Sequence, residues 1–153
     1  MPDPTEPTIH LVKLCVGTDS IEDLREWQSA QSARRLAAGQ DPRPRHVTRM
    51  WPRRDAELLS GGSLYWVIRG VIRVRQRIAA LQEATGEDGI RRCAIVLDPA
   101  LIPTVPRPRS AFQGWRYLRA ADAPADIGAA PGDEPDLPPG LREALARFGV
   151  LPG

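Results

Sequence analysis

Short apolar runs alternate with turn-forming clusters along the chain, and the period of each run predicts its element. Ile9 to Val16 alternates loosely, carries β-branched residues and ends at Gly17, which predicts a buried strand. Ser20-Ile21-Glu22-Asp23 then opens a helix in the manner of a capping box with Asp in place of Glu. Leu24 and Trp27 continue its apolar stripe, and the helix is expected to fade near Gly39. DPRPR reads as a turn or loop, His46 to Trp51 as a short strand, and Arg54 to Ser60 as a brief helix closed by Gly61-Gly62. Ser63 to Ile68, SLYWVI, has the aromatic and β-branched content of a strand, and Gly70 marks a bend or bulge after it. VIRVRQRIAALQ fits a helical and a two-residue period alike. The alternation of Arg73, Arg75 and Arg77, the turn TGEDG and the strand-like IRRCAIVL beyond it favour a strand and a hairpin. PTVPRPR reads as extended, and FQGWRYL as a last short strand.

Proline divides the chain unevenly. None falls between Pro52 and Pro99, whereas residues 99–108 carry four and residues 124–139 carry five, so 53–98 is the structural heart. The expected organisation is a compact domain over 1–119, an acidic Pro/Gly/Ala-rich linker over 120–139, and a C-terminal helix within 140–153. Leu141, Leu145 and Phe148 would dock that helix on the domain. The expected class is α+β: a small mixed or barrel-like sheet with flanking short helices and the terminal helix.

At 153 residues the chain suits one domain, and 42% apolar with 26% charged residues is too apolar for a disordered chain. No apolar run approaches the roughly 20 residues of a membrane helix, and MPDPTEPT lacks the basic-then-apolar order of a signal peptide. No membrane association is expected, and the expected compartment is cytoplasmic. Cys15 and Cys93 lie in apolar stretches, as packed free thiols do. Together with His10 and His46 they form no zinc-type spacing, so neither a metal nor a cofactor is expected.

Charge adds the first hint of a partner. Residues 43–119 hold 15 basic and 6 acidic side chains, while the flanks 1–42 and 120–153 are net acidic. A basic middle suits an anionic partner, although solvated arginines paired with acidic ends would give the same count. Of the 21 basic residues only Lys13 is a lysine.

Motifs of known chemistry are weak. Gly61-Gly62-Ser63 leads into a strand without a following Lys, unlike a phosphate-binding loop, and lacks the closing glycine of a nucleophile elbow. Pro103-Thr104-Val105-Pro106 matches P-x-x-P, a common loop tetrad. The distinctive segments are HVTRMWPRR, GGSLYWVIRG and FQGWRYL, each joining tryptophan to arginine. Flat faces beside charge can stack a base and hold its phosphate, so RNA or a nucleotide-like anion is the expected partner. The candidate ligand-binding residues are Arg49, Trp51, Arg69, Trp115 and Arg116, with His46, Asp98 and Gln113 as weaker candidates. Trp66 reads as core, and Trp51 and Trp115, beside Pro and Gly, read as more exposed. A small enzyme on a phosphorylated or nucleotide substrate, using His46, Arg49 and Asp98, is the alternative. A protein-interaction module using the terminal helix and Pro-rich loop is the third reading.

LVKLCVG, HVTRMWP, GGSLYWVIRG, RQRI, GEDGIRRC, VLDP and FQGWRYL together resemble the bacterial family called domain of unknown function 1489, known chiefly in alphaproteobacteria, over roughly residues 8–127. That resemblance implies no activity. The order of elements is also similar to the small barrels of the PUA, ASCH and EVE group, which implies RNA or modified-base binding and carries over no site residue.

Overall fold

The computed structural model describes residues 8–110 and 112–127. The elements are β1 (Ile9–Leu14), α1 (Ile21–Ala37), β2 (Arg45–Thr48), α2 (Asp55–Leu59), β3 (Ser63–Ile68), β4 (Val71–Glu83), β5 (Cys93–Leu97), β6 (Ile102–Pro108), β7 (Trp115–Arg119) and a 3-10 turn at Ala120–Asp122. Ser20 caps α1 by accepting a hydrogen bond from the Asp23 N–H, and Glu22 and Asp23 complement the positive helix end. The helix turns inward through Ile21, Leu24 and Gln28, leaving Trp27 half exposed. The expected Leu24–Trp27 stripe is therefore rotated by about one residue, because a buried glutamine takes the inward position.

The sheet is mixed, ordered β2-β5-β4-β3-β1-β7, with β6 paired to the first half of β4. Only β1 and β3 run parallel among these pairs, since α1, β2 and α2 intervene between them. The ambiguous segment is the 13-residue strand β4. Its first half pairs with β3 and β6, its second with β5, and the register shifts between Ile78 and Ala80. Such a bulge bends and twists the strand, so β4 carries the sheet around a corner.

The sheet is open among its described residues, which corrects the barrel-like alternative. The terminal strands β2 and β7 do not pair, and residues 49–54 bridge them instead. The Trp115 indole N–H donates to the Met50 carbonyl at 2.9 Å, and the N–H groups of Arg53 and Arg54 donate to the Tyr117 hydroxyl at 2.8 and 3.2 Å. Pro52, buried between them, has no N–H for a ladder, so the bridge is made by side chains.

Alternation sorts the strands into two faces. The inner face packs Ile9, Leu11, Leu64, Trp66, Ile68, Val74, Ile95, Leu97 and Trp115 with Leu24 of α1 and Leu58 of α2. The outer face packs Val12, Tyr65, Val67, Ile72 and Leu118 with half-buried Phe112. Gly62 is where α2 meets β1: a β-carbon there would stand 2.4 Å from the Ile9 carbonyl oxygen and 2.5 Å from that of Leu58.

PTVPRPR is an edge strand, where prolines cost no internal ladder bond. Beside it run residues 120–127, which composition assigned to the start of the linker. Val105 N–H donates to the Ala125 carbonyl, Ile127 N–H to the Pro103 carbonyl, and Arg75 grips Asp126 with two bonds of 2.7 and 2.6 Å. The domain thus extends through Ile127. Residues 128–139 and the expected C-terminal helix lie outside the described residues. Among the described residues no helix is long and apolar enough to cross a membrane.

Candidate nucleic-acid interface

The three tryptophan–arginine segments converge, but mainly through their buried sides. Trp66 is 7% exposed and Trp115 5% exposed. Trp66 donates its indole N–H to Gln76 Oε1 at 2.9 Å, and Gln28 and Gln76 exchange two amide bonds of 2.8 and 2.9 Å. Gln76 also donates to the Asp98 carbonyl at 3.1 Å. A fully satisfied polar network therefore ties α1, β3, β4 and the end of β5 together. His46 stands edge-on to Trp66 with ring centroids 6.3 Å apart, although β5 and β4 lie between their strands. Three strand spacings in a flat sheet would be about 14 Å, so this contact records the curl of the sheet.

Other candidates are dispersed. Trp51 is half-buried under the Arg91 guanidinium, 4.2 Å from its ring centroid, and its indole N–H has no partner among the described residues. Arg49 is exposed beyond the end of β2. Asp98 is exposed past β5, its carboxylate accepting the Ala100 N–H. Because β2 and β5 are antiparallel, with Arg45 opposite Val96 and Thr48 opposite Cys93, Arg49 and Asp98 sit at opposite ends of that ladder. Six residues of strand separate those ends, about 20 Å. The His46, Arg49 and Asp98 trio of the enzyme reading does not meet.

Burial and the nearby Lys13 ammonium hold His46 down to about 4, so its imidazole is neutral at pH 7. The unfolded chain binds a proton there near 6.5 and the folded chain does not, so stability is full above that value and falls as pH drops toward 4. We expect a loss of about 2 kcal/mol across this window, discounted for partial exposure. His10 has a shift of the same sign, from burial and then Arg75, whereas the Asp41 and Asp88 carboxylates, held to about 2 by Arg43 and Arg92, titrate lower. Chemical denaturation at pH 4.5 and 7 should show a smaller difference in His46→Gln than in wild type.

At the β3–β4 hairpin end of the sheet, four arginines without ion-pair partners stand close together. Arg69 and Gly70 form the two-residue connection of the β3–β4 hairpin with φ of 52° and 78°. The Arg109 N–H donates to the Gly70 carbonyl at 2.8 Å, and Arg107 stands opposite Ile72 in the β6–β4 ladder. Arg109 and Arg116 both lie over the Phe112 ring, 5.2 and 5.4 Å from its centroid. Among the described residues no carboxylate lies within ion-pair distance of Arg69, Arg107, Arg109 or Arg116. The acid beside them, Asp122, is engaged by Arg119 at 2.8 Å, and its own carbonyl accepts from Arg107. Arg116 is steadied by the Gln113 carbonyl at 2.8 Å.

Sequence reasoning thus named Arg69, Arg116 and Gln113 of this end and missed Arg107, Arg109 and Phe112. Their signal was RPRSAF, where a proline-spaced basic pair precedes an aromatic. Trp115 and Arg116, named together, are on opposite faces because they are consecutive in a strand. A separate groove of about 510 Å³ lies between α1 and the loops around Pro44 and Pro99. Its arginines, Arg25 and Arg43, are already paired with Glu22 and Asp41. No group of three or more metal-ligating side chains occurs among the described residues.

The fold and this end define a mixed α+β domain with an arginine-rich rim around one aromatic ring. The chain belongs to the family described as protein of unknown function, DUF1489, whose model matches residues 11–151. No curated protein and no solved structure is significantly similar to it.

Proposed function

We propose that the protein binds single-stranded RNA at the hairpin end of the outer face. Arg69, Arg107, Arg109 and Arg116 hold successive phosphates, and a base stacks against the guanidinium–Phe112 layer. The observation that carries this reading is the set of four arginines without carboxylate partners around one half-buried ring. Charge supplies affinity for the backbone, and the flat groups supply a sequence-tolerant platform.

Arg69 supports the reading independently. Both residues of its turn have positive φ, a geometry that favours Asn-Gly, and an arginine there bears a left-handed backbone cost. A strained arginine where asparagine fits better supports a contact made outside the fold. Arg69→Asn should therefore raise unfolding stability by about 0.5–1 kcal/mol. It should also weaken RNA binding and reduce the slope of log affinity against log salt by about 0.7. Parallel denaturation and fluorescence-anisotropy titrations test this split, and unchanged affinity with the same slope would remove Arg69 from the site.

A further inference from the structure

Lys13 is the chain's one lysine among 21 basic residues, and it occupies an inward position of β1. Ile9 and Leu11 on the same phase are core residues, and Cys15 packs against that core. In register, Lys13 lies between Trp66 of β3 and Trp115 of β7, both buried. It is half-buried, and its Nζ donates to the Leu14 carbonyl at 3.3 Å. Among the described residues no carboxylate pairs with it. Partly buried charges are normally paired, and an unpaired one is a standing electrostatic cost. A compact ammonium differs from the guanidinium used at the other basic positions in fitting a confined site as a point charge.

The one charge at this position is positive, which suits an anion. The thiol of Cys15 accepts from the Thr18 hydroxyl, and burial pushes its pKa up, so it carries no compensating negative charge. His46 faces the same core from β2, its ring edge-on to Trp66, which is the register partner of Lys13. A neutral imidazole can donate one hydrogen bond.

We infer that Lys13 anchors a second binding site, on the inner face and separate from the arginine rim, that takes a small oxyanion such as a carboxylate or phosphate group, with His46 as its second polar contact. The ammonium supplies charge, His46 supplies direction, and their partly buried setting strengthens both.

Because there is one lysine, isotope-labelled lysine gives one side-chain signal, which makes the site directly observable in the full chain. Inorganic phosphate and acetate, titrated separately at constant ionic strength, should shift the Lys13 signal saturably with at least one of them and raise the thermal midpoint. Which of the two acts identifies the group recognised. Lys13→Met should abolish the anion-dependent rise in midpoint, and His46→Gln should weaken binding about tenfold, the worth of one charge-assisted hydrogen bond. An Arg109→Gln/Arg116→Gln variant should keep the Lys13 response, which separates this site from the RNA reading. No saturable change at Lys13 with either anion would overturn the inference, as would a midpoint rise that survives in Lys13→Met. Should Lys13→Met fail to fold, the wild-type signal alone decides.

Discussion

Gln76→Leu should lower unfolding stability by about 3–5 kcal/mol, although leucine is the more hydrophobic residue and the position is fully buried. The substitution strands the Trp66 indole N–H, both amide groups of Gln28 and the Asp98 carbonyl, all of which Gln76 satisfies. Each buried polar group left without a partner costs about 1–3 kcal/mol, and relaxation recovers only part. Replacing both glutamines by leucine should cost less than the two single changes combined, because Gln28 is then no longer stranded. A double-mutant cycle by chemical denaturation should show a coupling of about 1–3 kcal/mol. Additive effects would mean that the amide pair does not hold α1 to β4.

Trp115→Ala should cost about 3–5 kcal/mol of stability, through the lost burial of a large side chain and the cavity it leaves. It also frees the Met50 carbonyl, one of the three bonds by which residues 49–54 span from β2 to β7. Trp115→Phe keeps most of the burial and should lose about 1–2 kcal/mol, chiefly the indole bond. In the proposed site the stacking role that adjacency to Gly114 suggested for Trp115 falls to Phe112. Measured on folded protein, Trp115→Phe should leave RNA affinity nearly unchanged, whereas Phe112→Leu, which keeps apolar packing, should weaken it by about 1–3 kcal/mol.

The elements were legible because each carries its own local signal. Ser20 caps α1, SLYWVI has no polar interruption that could end β3, and the alternating arginines of β4 outweighed its helical period once TGEDG followed. What local pattern could not carry was which side each residue faces after the sheet turns. The bulge near Ala79 redirects β4, and a one-residue shift in phase reverses the face of every later side chain. Trp115 and Arg116 separate into core and rim for a simpler reason, that consecutive residues of a strand face opposite sides. The role of residues 120–127 was hidden for another reason. AADAPAD has the composition of a linker, and its order comes from long-range partners, Arg75 and the β6 backbone, that composition cannot show.

The candidate site was legible in its chemistry more than in its location. A net-basic middle segment suggested an anionic partner, and much of that segment's charge is consumed by local pairs such as Arg54–Glu57 and Arg92–Asp88. Pairing is decided by neighbours in space, so the cluster of Arg69, Arg107, Arg109 and Arg116 emerges only when the β3–β4 turn, β6 and β7 are brought to one end. Lys13 had a visible signal, a charged residue on the inward phase of an otherwise apolar strand, and its meaning depended on the flanking strands.

The most direct test of the arginine rim is the salt dependence of RNA binding. With four phosphate contacts, log affinity of the wild-type protein for a single-stranded RNA should fall against log salt with a slope of about −3. In Arg109→Gln/Arg116→Gln, with the fold confirmed by circular dichroism, the slope should drop to about −1.5. Absence of binding at low salt, or an undiminished slope in the double variant, would contradict the assignment of RNA to this end of the sheet.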